Sequence, residues 1–200
     1  MTRTLSTAVA LAMILVVAPF KAADASVIFD FESVAAGTLE PFSVTVSGLT
    51  ASFSSPGTFQ VASFQPNTLF SGNSLFDADV AIQPLSVGFS SVLSDISLVF
   101  AQNGGAGVAF TLTALIGGVG GATVGSVSVN GANAFSGFPG GTISFAGVAF
   151  DAIRLSTTTL DFAIDNITVN AVPEPAALLL LGSGIAGLGA RMRRRTGRAA

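Results

Sequence analysis

The 200-residue chain contains no cysteine, no histidine, no tryptophan and no tyrosine. Without cysteine there is no disulfide, no thiolate metal site and no cysteine nucleophile. Without histidine the commonest general base and metal ligand is missing, and the Ser-His-Asp triad is excluded with it. The sequence therefore lacks several of the side chains that enzymes use most often.

Basic residues are almost absent from the middle of the chain. The whole sequence has 8 basic and 11 acidic residues, but the two signs are segregated. Between Ser26 and Val172 there are nine acids and a single base, Arg154, which gives this region a net charge of −8. Binding to nucleic acid depends on neutralising phosphates with lysine and arginine. The acidic middle region therefore excludes a nucleic-acid partner.

Residues 1–25 have the three parts of a secretory signal peptide. "MTRT" supplies the positive start, and "LSTAVALAMILVVAPF" supplies the apolar stretch. The small residues Ala23 and Ala25 predict cleavage before Ser26. An uncleaved N-terminal anchor is the alternative, but the apolar stretch is short for a membrane span. The sequence thus predicts an exported protein.

Residues 172–200 contain a second targeting pattern. Residues 176–190 carry no charge, and as a helix they would be roughly 22 Å long against a hydrocarbon core of ~30 Å. Snorkelling arginines can extend the match, so we predict a transmembrane helix over 176–190 and a basic tail over 191–200. A buried helix of a soluble domain is the alternative. The residues predicted to stop transfer and stay cytoplasmic are Arg191, Arg193, Arg194 and Arg195.

The order of these parts resembles the PEP-CTERM sorting signal. That signal has a short motif, here Val172, Pro173, Glu174 and Pro175, then an apolar segment and a terminal arginine cluster. The resemblance implies export, retention in the inner membrane facing the periplasm, and processing by an exosortase near the motif. It also implies delivery to the cell surface or extracellular matrix, in bacteria that make exopolysaccharide. The two prolines prevent a regular helix through the motif and favour an extended, accessible segment.

Residues 26–171 have the pattern of a β-rich domain. Period-two alternation in "VIFDFE", "FSVTVSGLTASFSS", "DISLVF" and "LDFAIDNITV" predicts half-buried antiparallel strands. Glycine-rich breaks such as "IGGVGG" and "SGFPGG" predict the turns between them. Ten or so short strands predict an all-β, antiparallel β-sandwich of the jelly-roll type, with phenylalanines in its core. Odd steps in the alternation predict β-bulges at Asp165–Asn166 and between Phe150 and Ile153.

This middle region also resembles the jelly-roll exodomains that often precede the sorting signal. The resemblance rests on "FDFESVAAGT", "SVGFSSVLSDISLVF" and "FAIDNITVNAVPEP". Related folds include lectin-like and carbohydrate-binding modules, and in several of them calcium lies where the first and last strands meet. By position, the acids that match are Asp30 or Glu32, together with Asp165. Calcium takes six to eight oxygen ligands, so these acids could start a site; the alternative is that they face solvent or cap turns.

The sequence leaves three hypotheses for function. The first is a non-enzymatic, structural surface or matrix protein associated with exopolysaccharide and biofilm, with the exosortase and the inner membrane as partners and with no catalytic residue and no cofactor. The second is a calcium-dependent carbohydrate-binding module. The third is a glycosidase that uses the carboxylate pairs Asp30/Glu32 and Asp77/Asp79, each on one strand face if extended. The absence of tryptophan and tyrosine for stacking on sugars counts against the third.

Overall fold

The computed structural model describes residues 26–79, 81–104, 107–132 and 138–172. The predicted signal peptide (1–25), transmembrane helix (176–190) and arginine cluster lie outside these residues. Within the described ranges, no helix is long and apolar enough to span a bilayer.

The described residues form ten β-strands, and every strand pairing among them is antiparallel. The predicted all-β, antiparallel class is therefore confirmed. The expected number of ten or so strands is found in the described residues, but two of the strands are 18 residues long and not short. The strands are β1 (Ser26–Phe29), β2 (Phe42–Val46), β3 (Leu49–Ser54), β4 (Phe59–Ala62), β5 (Ser74–Asp77), β6 (Leu85–Gln102), β7 (Ala109–Ile116), β8 (Ala122–Asn130), β9 (Gly140–Thr157) and β10 (Phe162–Ala171).

The two long strands belong to both layers of the fold. The register between β6 and β9 shifts between Gly88 and Leu93, which divides each strand into two halves. The C-terminal half of β6 pairs with β10 and with the first half of β9, and the other edge of β10 pairs with β5 and β1. These strands, with β4, form the first layer. The N-terminal half of β6 pairs with β3 and with the second half of β9, and β2, β7 and β8 complete the second layer.

Aromatic contacts join the two layers into a sandwich. Phe100 of the first layer stacks on Phe110 of the second, with ring centroids 4.3 Å apart. Phe162 meets the same Phe110 edge-on at 5.2 Å. Burial of these rings removes large apolar surfaces from water without requiring polar partners. The largest fully buried aromatic side chains are Phe29, Phe31, Phe53, Phe59, Phe100, Phe110 and Phe150.

A bulge interrupts the last strand where the alternation predicted one. The register of β10 against β6 shifts between Asp165 and Thr168, and Asn166 has a positive φ of 50°. The shift lets Ile164 and Ile167 both face the core, although they are an odd number of residues apart. It also leaves Asp165 almost fully buried. The predicted bulge is therefore confirmed, and it places a carboxylate inside the protein.

Candidate functional site

A cleft of about 400 Å³ lies on the outer face of the first layer. Its floor is a row of four residues at matching register on neighbouring strands: Gln60 on β4, Phe76 on β5, Ala163 on β10 and Ala101 on β6. The residues next to them in sequence, such as Phe59 and Ile164, point to the core because side chains alternate along a strand. Because the side chains of Ala101 and Ala163 are small, they leave space above the sheet on that side of the cleft.

Phenylalanines form the apolar wall of this cleft. Phe64, in the segment after β4, lies 5.3 Å from Phe76 and 5.7 Å from Phe138, measured between ring centroids. All three rings are half-buried and line the cleft. They pack on a small apolar cluster that is separate from the main core and includes Phe70. Two aromatic rings supplied by loops therefore stand over the outer face of a sheet.

The polar end of the cleft is acidic. Asp77 ends β5 and is only 3% exposed. Its Oδ1 accepts hydrogen bonds from the Asp79 N–H at 3.0 Å and from Gln83 Nε2 at 3.1 Å. Its buried Oδ2 has no hydrogen-bond partner within the described part of the chain, and the same is true of Asp161 Oδ1. Two carboxylates that line one cleft thus each keep an unused acceptor.

Burial raises the pKa of each of three acids around this end. For Asp77, burial is the largest cause, the two hydrogen bonds to its carboxylate oppose it, and the nearby charges of Asp161 and Asp79 add to it. Burial likewise raises the pKa of Asp161, with the Asn103 side chain opposing. Burial also raises the pKa of Glu40; a backbone hydrogen bond from Phe59 opposes this shift, and the charges of Asp77 and Asp79 add to it. The common direction indicates that these negative charges are poorly compensated.

The three acids predicted to bind calcium lie together at another place. Asp165 Oδ1 accepts a hydrogen bond from the Asn166 N–H at 2.7 Å, and its Oδ2 accepts one from the Ser71 N–H at 3.3 Å. Glu32 Oε1 accepts from the Asn73 N–H at 2.9 Å. Burial, followed by the charges of Glu32 and Asp30, raises the pKa of Asp165 to about 6, although its backbone hydrogen bonds act the other way.

Through these hydrogen bonds Glu32 and Asp165 hold the segment before β5 in place. The carboxylate oxygens of Glu32 and Asp165 accept N–H groups from residues 71–73, whereas calcium requires a cage of oxygen ligands. Across residues 26–79, 81–104, 107–132 and 138–172, no group of three or more His, Cys, Asp or Glu residues is placed to hold a metal ion. Calcium binding by Asp30, Glu32 and Asp165 stays a prediction.

Neither carboxylate pair suggested for glycoside hydrolysis shares an extended strand face. In each pair the backbone N–H of the second residue donates to the carboxylate of the first: Glu32 to Asp30 at 3.2 Å, and Asp79 to Asp77 at 3.0 Å. Aspartates form such turns readily because the side chain reaches the N–H two residues on. The structure instead places Asp77 near Asp161, a pairing that the spacing of the sequence could not indicate.

Comparison with known families identifies the tail. The model of the PEP-CTERM protein-sorting motif matches residues 171–195. The chain carries a PEP-CTERM sorting signal. The match spans Val172 to Pro175 and the arginines at 191 and 193–195, and it confirms the family resemblance seen in the sequence. The motif implies an exported, exosortase-sorted protein of the cell surface.

Solved structures give only distant similarities. The K2 adhesin domain of Lys-gingipain matches at 12% identity over 72% of this chain and 97% of its own, with a TM-score of 0.47. CsCBM6-3 from Clostridium stercorarium, in complex with cellobiose, matches at 16% over 60% and 87%, with a TM-score of 0.38. The CBM22-1 xylan-binding domain of Paenibacillus barcinonensis Xyn10C matches at 16% over 76% and 99%, with a TM-score of 0.37. At these scores the matches carry no functional conclusion, and no curated protein matches significantly.

Proposed function

We propose that the protein is a non-enzymatic, structural component of the cell surface or extracellular matrix, where its β-sandwich associates with exopolysaccharide. The observation that carries this proposal is the sorting motif over residues 171–195. Strand β10 ends at Ala171, and the Val172 N–H donates to the Val92 carbonyl at 3.0 Å. The motif therefore starts where the hydrogen bonding of the sandwich ends. The proposal includes temporary anchoring in the inner membrane by residues 176–190, with the β-sandwich facing the periplasm.

The outer face of the second layer supports a role in a hydrated polysaccharide matrix. It carries rows of serine and threonine hydroxyls that pair across neighbouring strands. A face of this kind offers many hydroxyls and little charge to sugar chains. The cross-strand pairs are Ser43–Ser52, Thr45–Thr50 and Thr111–Ser128, each at 2.8 Å, and Thr113–Ser126 at 3.4 Å.

The proposal assigns binding, and not catalysis, to the carboxylates of the cleft. A glycosidase needs one carboxyl group that holds its proton and one that is ionised, so their environments push the two pKa values apart. Burial raises the pKa of both Asp77 and Asp161. We therefore do not assign hydrolysis to this pair.

A calcium-dependent carbohydrate-binding module is the second candidate. It is favoured by the grouping of Asp165 with Glu32 and Asp30, whose charges help to raise the pKa of Asp165 to about 6. A cation beside these oxygens would relieve that repulsion. The backbone N–H groups already bonded to the same oxygens count against it.

The test tracks the tail and the location of the protein in its native host. An epitope inserted after the exposed Val119, in the β7–β8 turn, would report the protein without touching the motif. We expect intact mass to show loss of the tail in the wild-type host and its retention in a host without exosortase. A variant with alanine at 173–175 should behave like the exosortase mutant.

Two further results bear on the matrix role. Enzymatic removal of the host exopolysaccharide should release the processed protein from the cell surface. An uncut tail in the wild-type host, or a protein that stays in the inner membrane, would overturn the proposed function. Release of reducing sugars from that polysaccharide by the purified protein would overturn its non-enzymatic part.

A further inference from the structure

The geometry points to the cleft between Phe64, Phe138 and Asp77 as a binding site for an amino sugar: a pyranose whose ammonium group pairs with Asp77 and Asp161 while its ring lies against the phenylalanines. This inference rests on the proposed function, because it names the kind of matrix polysaccharide that the protein would engage.

The unused acceptors are the first reason. Asp77 is 97% buried, yet its Oδ2 has no hydrogen-bond partner in the part of the chain that the structure describes, and neither has Asp161 Oδ1. Both oxygens are shielded from solvent, and a buried acceptor without a partner is costly, so a ligand whose donors reach them after a small shift of the surrounding side chains is favoured. A carboxylate can only accept, whereas an ammonium group has three donors. The two oxygens thus favour a donor-rich ligand.

The excess of acidic residues at this end of the cleft favours a ligand with an ammonium group over one with only neutral hydroxyls. The acids that face one another at this end come from four places: the segment before β2 (Glu40), the end of β5 (Asp77), the turn after it (Asp79) and the residue before β10 (Asp161). The described residues contain one base, Arg154, which is exposed on the second layer at the register of Thr113 and Ser86. No cation among the described residues balances these acids, so a cationic ligand is preferred over a neutral or anionic one.

The rest of the cleft argues for a sugar ring and against a bare metal ion or a lysine side chain. A metal ion has no use for the wall of Phe64, Phe76 and Phe138, whereas rings of this kind attract both the apolar face of a pyranose and a nearby cation. The amides of Gln60 and Asn103 also line the cleft and can bond ring hydroxyls, which a lysine side chain lacks. The volume of about 400 Å³ falls within the usual range for small-ligand sites.

The experiment compares three β-1,4-linked oligomers of equal length that differ only at carbon 2. They are an oligomer of glucose, one of N-acetylglucosamine and one of glucosamine, and only the last is cationic. The protein is residues 26–172, which form one compact unit with its own core. Calorimetric titration at mildly acidic pH should give at least about tenfold tighter binding of the glucosamine oligomer, because a charge-assisted hydrogen bond replaces a neutral one.

Variants then locate the binding. We expect Asp77→Asn and Asp161→Asn each to weaken the glucosamine oligomer about tenfold and to leave any binding of the glucose oligomer unchanged. Asp95→Asn is the matched control: this acid lies on β6, where it bonds Asn170 and Ser94 and does not line the cleft. Phe138→Ala should weaken all sugar binding. Thermal melting checks that each variant is folded.

Three outcomes would overturn the assignment. They are equal binding of the charged and neutral oligomers, no binding of any of them, and binding of oligolysine as tight as that of the glucosamine oligomer. The last outcome would mean that the acids bind any cation and that the cleft does not recognise a sugar ring. Failure here leaves tail processing and release from the matrix untouched, whereas an uncut tail would remove the proposed function whatever the cleft binds.

Discussion

The buried carboxylate of Asp165 should make the stability of the sandwich depend on pH. Its pKa is about 6 in the folded protein, against 3.8 for an ordinary aspartate. A pKa that folding raises means that the folded state holds its proton more tightly than the unfolded state. The resulting stability is fully present below about pH 4 and is lost as the pH rises through about 6. The domain should therefore be less stable at neutral than at acidic pH.

The magnitude comes from the same two values. A rise in pKa from 3.8 to about 6 corresponds to about 3 kcal/mol of unfolding free energy, at 1.36 kcal/mol for each pH unit. Because Asp165 is 1% exposed, solvent does little to screen this effect. For a domain of this size, about 3 kcal/mol is roughly 6–12 °C in melting temperature.

The assay is urea unfolding of the wild type and of Asp165→Asn at several pH values between about 4 and 7.5. Glu40, Asp77 and Asp161 also have raised pKa values, so the wild type alone would mix four contributions. The difference between wild type and variant isolates Asp165, and it should change by about 3 kcal/mol in favour of the variant as the pH rises. A difference that stays constant over this range would refute the reasoning.

Three other predictions test packing and ligand binding. Phe110→Ala should cost about 3–5 kcal/mol in urea unfolding because this ring contacts two core phenylalanines, whereas the exposed Val148→Ala should cost little. Gly72→Ala should lower the free energy of unfolding more than Gly48→Ala does. Both glycines have a positive φ, but only at position 72 would the new methyl group displace the hydrogen-bonded carboxylate of Glu32. If calcium binds as the sequence predicts, millimolar calcium should raise the melting temperature by several degrees, and not in Asp165→Asn; no shift in the wild type would contradict the calcium-dependent alternative.

Much of the fold could be predicted because alternation is a local property. In β7 the side chains of Phe110, Leu112 and Ala114 are all fully buried, as period two requires. Strands β4 and β5 were missed because each has only four residues and no alternation continues beyond it, whereas the alternation of the equally short β1 continues through "VIFDFE". The lengths of β6 and β9 were missed because each strand changes partners at its bend. A bend breaks the alternation, and a broken alternation resembles two strands.

The cleft could not be predicted because no local pattern encodes it. Asp77 was singled out, but for a partnership with Asp79 that the structure replaces by a turn. Its neighbour in the cleft, Asp161, is 84 positions further along, and Phe138 comes from a third segment. Strand order brings these segments together, and strand order depends on which edges pair. Sequence spacing carries no information about that choice.

Processing near the sorting motif would change the charge of the protein more than its structure. The last described backbone bond of the sandwich joins the Val172 N–H to the Val92 carbonyl, so a cut beyond it breaks none of the described hydrogen bonds. Strand β10 is held on both edges by its neighbours β1, β5 and β6, which all lie within the described residues. The same cut removes five arginines and leaves a domain with nine acids and one base. Because so little positive charge remains within the domain, the processed protein would be strongly acidic, and the cationic sugar polymer that we propose as its ligand would be attracted to it.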